Sequence, residues 1–131
     1  MTACLQKLLL VGIAVTAFTF SGCNNYGTKL MFNGGELFYT SKVTKDEANA
    51  LGNYLVKGGF FDGVRKSVQL DKRDNVYLFR MVMKPEFVND QQYIDLMKVF
   101  SKELSDEVFN KAAVEMHMCD EKLKTIKVVN P

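Results

Sequence analysis

The stretch that decides the fold is Val76–Met83, VYLFRMVM. Successive side chains on a strand point to opposite faces. One face therefore carries Val76, Leu78, Arg80 and Val82, and the other Tyr77, Phe79, Met81 and Met83. Both are largely apolar, which suits a central strand flanked on each side. Pro85 stops it, because proline cannot donate to the ladder. Arg80 is the exception among apolar neighbours. If helices cover its face it needs a buried partner, with Glu47 and Asp95 as candidates. Otherwise its face is the open side of the sheet, and Leu78, Arg80 and Val82 lie on a partly apolar surface able to take a partner or a hydrophobic ligand.

Working outward, Asp71–Asn75 (DKRDN) is a polar hairpin connection back to a strand over Ser67–Leu70. Phe60-Phe61-Asp62-Gly63 is an apolar pair followed by a turn. Before it, Thr44-Lys45-Asp46-Glu47 fits a capping box, and Ala48, Leu51 and Leu55 follow at helical spacing. Gly58-Gly59 ends that helix. Glu36–Ser41 (ELFYTS) reads as a strand. Asn33-Gly34-Gly35 is a turn, with Lys29–Phe32 a candidate strand paired across it. Downstream, Asn89 or Asp90 caps a second helix to about Phe109, with Tyr93, Met97, Phe100, Leu104 and Val108 on one face. Val114–Met118 is a strand, Cys119–Lys122 a turn, and Leu123–Val129 the last strand. The aromatic residues Phe38, Tyr39, Tyr54, Phe60, Phe61 and Tyr77 read most simply as core.

The order strand, helix, strand, strand, helix, strand over Glu36–Met118 resembles the ferredoxin-like split βαβ arrangement. That resemblance implies an α+β fold, an antiparallel sheet with two helices on one face; the C-terminal strand Leu123–Val129 departs from the minimal pattern and is expected to extend an edge or serve a weak homodimer. It implies no function, since that fold hosts many.

The amino terminus addresses localisation. Lys7 is followed by a 13-residue apolar run, Leu8–Phe20, and then Ser21-Gly22-Cys23. A helix of that length falls short of the roughly 30 Å hydrocarbon core, which needs about 20 residues. The segment resembles a bacterial lipoprotein signal peptide with a lipobox, with Phe20 where an aliphatic residue is usual. The resemblance implies cleavage before Cys23 and acylation of its sulfur. Ordinary secretory cleavage is the alternative, and it leaves Cys23 a plain thiol. The expected organisation is a signal peptide over residues 1–22, a lipidated tether with a short strand over 23–34, and a single α+β domain over 35–131. Asn24 follows the cysteine, so the Asp that some bacteria read as inner-membrane retention is absent.

Removal of Lys7 with the signal leaves 16 Lys plus Arg against 15 Asp plus Glu, with both signs interspersed. There is no basic stripe for nucleic acid. Cys4 goes with the signal and Cys23 would be acylated, so Cys119 remains alone without an intrachain disulfide, and burial is its plainest reading.

Reactive motifs are few. The Gly34-Gly35 and Gly58-Gly59 pairs lack a phosphate-loop context, and the serines lack a nucleophile elbow. Asp62, Asp71, Asp74 and Asp120 read as solvated turn carboxylates, since Asp71-x-x-Asp74-Asn75 lacks the ligand pattern of a calcium loop. The soft ligands of Met116-His117-Met118-Cys119 favour Cu(I) in chemical type. On a strand, however, His117 and Cys119 share one face and Met116 and Met118 the other. The expected arrangement is Val114, Met116 and Met118 in the core with Glu115 and His117 exposed, and His117 and Cys119 as the candidate metal ligands if a neighbour completes a site. Met81 and Met83 read as packing.

These features favour a small, non-catalytic envelope lipoprotein without cofactor. It would sit outside the cytoplasm, held to a membrane through Cys23, and bind or scaffold an envelope protein. The alternative is a lipoprotein that binds a small ligand or copper.

Overall fold

A computed structural model describes residues 25–130. The expected signal segment 1–22 and the acylation site Cys23 lie outside the described residues. The fold is α+β: two helices and one six-stranded mixed sheet. In chain order the elements are β1 (Thr28–Phe32), β2 (Gly35–Tyr39), α1 (Lys45–Lys57), β3 (Ser67–Arg73), β4 (Val76–Val82), α2 (Gln91–Glu107), β5 (Val114–Cys119) and β6 (Thr125–Val129).

Local signals set most of these boundaries. The capping box at α1 is complete: the Glu47 amide donates to Thr44 Oγ1 at 3.1 Å, and the Thr44 amide donates to Glu47 Oε1 at 2.8 Å. This satisfies two donors that a helix start otherwise leaves orphaned. Gly59 adopts φ +83° just past the end of α1, the left-handed position glycine tolerates. Asp90 caps α2, accepting from the Gln92 amide at 3.0 Å.

The strands lie side by side in chain order, β1 through β6. The tight turns join antiparallel pairs, β1/β2, β3/β4 and β5/β6. The two helical crossovers join parallel pairs, β2/β3 and β4/β5. The antiparallel expectation is thus corrected to a mixed sheet. A helix between strands carries the chain back to its starting end, so the second strand runs parallel to the first when the two are neighbours. The element order along the chain agrees with expectation, but each crossover joins adjacent strands instead of skipping one, so the split arrangement is absent.

Both helices cover the same face, as expected. The Tyr54 hydroxyl of α1 lies 3.5 Å from Glu103 of α2, and Phe60 and Phe100 both meet Phe79. Both crossovers also step the same way across the sheet, yet β2 and β3 run opposite to β4 and β5. The two crossovers therefore have opposite hands, and one is left-handed against the strong preference of such units.

The core lies under the helices. Leu37, Val68, Leu70, Phe79, Val114, Met116 and Met118 point up from the sheet against Ala48, Leu51, Leu55, Met97 and Leu104. Ser101 joins this apolar set because its hydroxyl donates to the Val114 carbonyl at 2.6 Å, so its burial leaves no unmet hydrogen bond. Gly52 lets α1 approach β1: a Cβ there would stand 2.2 Å from the Phe32 ring. Phe61 and Tyr77 are buried as expected, and Tyr39, Tyr54 and Phe60 are partly buried against the core. Phe38 departs from the aromatic expectation: it projects from the opposite face, where its ring meets Tyr26 edge-on at 5.4 Å.

Candidate functional site

The face without helices carries a polar network built by strand register. Gln69 lies opposite Arg80, and Arg80 opposite His117. Neither Glu47 nor Asp95 partners Arg80. Instead Arg80 Nη1 donates to Gln69 Oε1 at 2.8 Å and lies 3.6 Å from Asp71 Oδ2, while Nε donates to Thr125 Oγ1 at 3.4 Å. Asp71, expected as a solvated turn residue, sits on β3 and also accepts from Thr40 Oγ1 at 2.6 Å. Burial works against its charged form, but the Thr40 hydrogen bond, the Lys72 amide and the Arg80 charge together hold its carboxyl below the ordinary value.

His117 is the second hub. Its Nδ1 lies 2.9 Å from Thr125 Oγ1, its Nε2 lies 2.8 Å from Glu115 Oε1, and Arg73 Nη2 donates to Glu115 Oε2 at 3.1 Å. One arrangement satisfies every group: Arg80 donates to Thr125, Thr125 donates to Nδ1, and the Nε2 proton goes to Glu115. His117 is 6% exposed, which corrects the expectation that it faces water. Its neighbours on three strands, and not its own residue type, provide the cover. Burial is the main reason its pKa lies below the ordinary value. The Arg80 and Arg73 charges add to that, and Glu115 opposes it.

Cys119 shares this face with His117, as the strand alternation implied, and is fully buried. Burial pushes its thiol pKa up, so it stays protonated and unreactive. A β-bulge at Met118/Cys119 brings Thr125 opposite Cys119. A soft metal here would have to displace Thr125 or Glu115 from His117. Among the described residues, no group of three or more His, Cys, Asp or Glu side chains is placed to hold a metal ion. Met116 and Met118 are core residues, as expected. Asp62 and Asp120 accept from backbone amides in their own turns.

Sequence reasoning missed Gln69, Glu115, Thr125 and Arg73 as members of this network. The spacing Glu115-x-His117-x-Cys119 placed three of its groups on one face, but only the register of β3, β4 and β6 supplies the rest.

The second feature is an apolar groove beside the helices. Between the end of α1 and α2, Gly58, Phe60, Met81, Leu96, Val99 and Phe100 line a cavity of about 420 Å³. Phe60 and Met81 also wall an adjoining cavity of about 460 Å³ that reaches Arg65, Lys66, Val82 and Glu121. Leu96 and Val99 are 55% and 58% exposed on α2. Lys66 Nζ is held on one rim by the Phe60 carbonyl at 2.7 Å and Asp62 at 3.1 Å. The groove is open, and its aromatic and methionine walls can adapt to a partner.

No curated protein and no solved structure matches the chain. One family model does, that of the AF_1994_N family N-terminal domain. Its match runs over residues 29–130, from the second residue of β1 to just past β6, and so covers nearly all of the six-stranded sheet and both helices. The chain belongs to that family.

Proposed function

We propose that this chain is a small, non-catalytic cell-envelope lipoprotein, held to a membrane by acyl chains on Cys23, whose domain binds another envelope protein. The Lys7, apolar run and Ser21-Gly22-Cys23 order supports the anchor. No helix among the described residues is long and apolar enough to cross a membrane.

The observation that carries the binding role is the open groove of Phe60, Met81 and Phe100 bordered by exposed Leu96 and Val99. A small molecule is held by a site that encloses most of its surface. An open, apolar, aromatic surface suits a protein partner, for which a few buried anchors provide most of the affinity. The titratable groups of the opposite face already have partners, so they support a structural role more than a reactive one.

Photo-crosslinking in cells tests this reading. A photoreactive residue at Leu96 is expected to give a discrete protein adduct that Val99→Glu abolishes. Val99 is exposed, so that substitution leaves the core intact. An adduct unchanged by Val99→Glu, or none at all, would overturn it.

A further inference from the structure

The amino-terminal approach to the domain runs along the face without helices. Gly27 has φ +102°, and a Cβ there would stand 2.2 Å from the Tyr39 carbonyl oxygen. The chain makes this turn next to β2 and crosses onto the face without helices. There the Tyr26 carbonyl accepts from Gln69 Nε2 at 2.8 Å, and the Tyr26 ring packs on Phe38. Cys23 lies three residues before Tyr26. Consecutive Cα atoms are about 3.8 Å apart, so the three-residue step from Cys23 to that pinned point can span at most about 11 Å.

We infer that the helix-free face of the sheet lies flat against the bilayer that holds the anchor, with α1, α2 and the groove turned to the aqueous side. This deepens the proposed function and rests on its assignment of Cys23 as the anchor. The surface itself fits a lipid headgroup layer. Met31 and Val128 project from this face, 58% and 41% exposed, near its two edges. Arg65 and Arg73 stand out into solvent, but each is paired, to Glu36 at 3.5 Å and to Glu115 at 3.1 Å. Lys29 lies on this face too and shares Glu36 with Arg65, so these ion pairs leave a positive excess of one charge. The tether and the apolar side chains hold it to a zwitterionic surface.

The sequence contains no tryptophan, so a single introduced one reports without background. The mature chain, residues 23–131, is coupled through Cys23 to a maleimide lipid in vesicles of brominated phosphatidylcholine. Cys119 is fully buried and does not compete for coupling. Tryptophan is placed singly at Met31, Val128 or Val99, and circular dichroism checks the fold of each variant. Met31→Trp and Val128→Trp are expected to lose roughly half their emission on coupling, because side chains in the headgroup layer reach the brominated carbons. Val99→Trp should be unchanged. Quenching at Val99, at Met31 without Val128, or at no site overturns the flat-lying orientation. Chemical coupling supplies the anchor whether or not cells acylate Cys23. A failure here is therefore distinct from a failure of the anchor assignment, which fatty-acid labelling of wild type against Cys23→Ser reads separately.

Discussion

Phe79→Ala tests the division of the sheet into a helix-covered face and an open one. Phe79 is fully buried on β4, with Phe60 and Phe100 edge-on at centroid distances of 6.5 and 5.6 Å. Losing the buried ring forfeits about 1.5–3 kcal/mol of transfer free energy. The space it leaves adds about 24 cal/mol per Å³ that fails to collapse. Each aromatic pair contributes about 0.5–1.5 kcal/mol beyond its area. Relaxation of the flexible Met81 and Met116 offsets part of this, so the expected cost is about 3–5 kcal/mol. A domain of this size has about 5–15 kcal/mol in total, so Phe79→Leu serves as the milder partner that keeps the fold. Urea unfolding followed by circular dichroism gives both values. A Phe79→Ala cost below about 1 kcal/mol would place Phe79 on a solvent face and reverse the assignment of the two sides.

Three further outcomes follow from individual contacts. Thr44→Ala removes the hydroxyl that receives the Glu47 amide and should cost about 1 kcal/mol in urea unfolding. Gly27→Ala combines a left-handed backbone with a clash on the Tyr39 carbonyl and should cost about 1–3 kcal/mol, while deuterium exchange at Tyr26–Lys29 rises. His117 has a folded pKa below its ordinary 6.5, so its neutral form favours the fold. The unfolded chain binds the extra proton, so this contribution is complete above pH 6.5 and is lost as pH falls from there toward the folded value. Unfolding free energies measured between about pH 7 and 5 should decline in the wild type and decline less in His117→Gln. An equal decline in both would remove His117 as the cause.

Local chemistry was legible in the sequence wherever one segment contains all its determinants. The double apolar face of Val76–Met83 identified the central strand. The Thr44 to Glu47 spacing located the start of α1, and alternation put His117 and Cys119 on one face. Features that depend on neighbours were not legible. Alternation assigns faces but not adjacent strands, so nothing in the strand between Ser67 and Arg73 declares a parallel partner in β2. His117 looked exposed because alternation alone does not show that Arg80 from β4, Glu115 from its own strand and Thr125 from β6 converge on it and bury it. Ser101 looked incidental on α2 because its reason for burial is a carbonyl on β5.

The most direct test of the proposed function is the intact mass of the mature chain extracted from cell membranes. The predicted result is a polypeptide of residues 23–131 whose first residue, Cys23, is acylated, with unmodified protein only in the Cys23→Ser variant. A mature chain that retains residues 8–22, or begins at Cys23 with a free thiol, would contradict it.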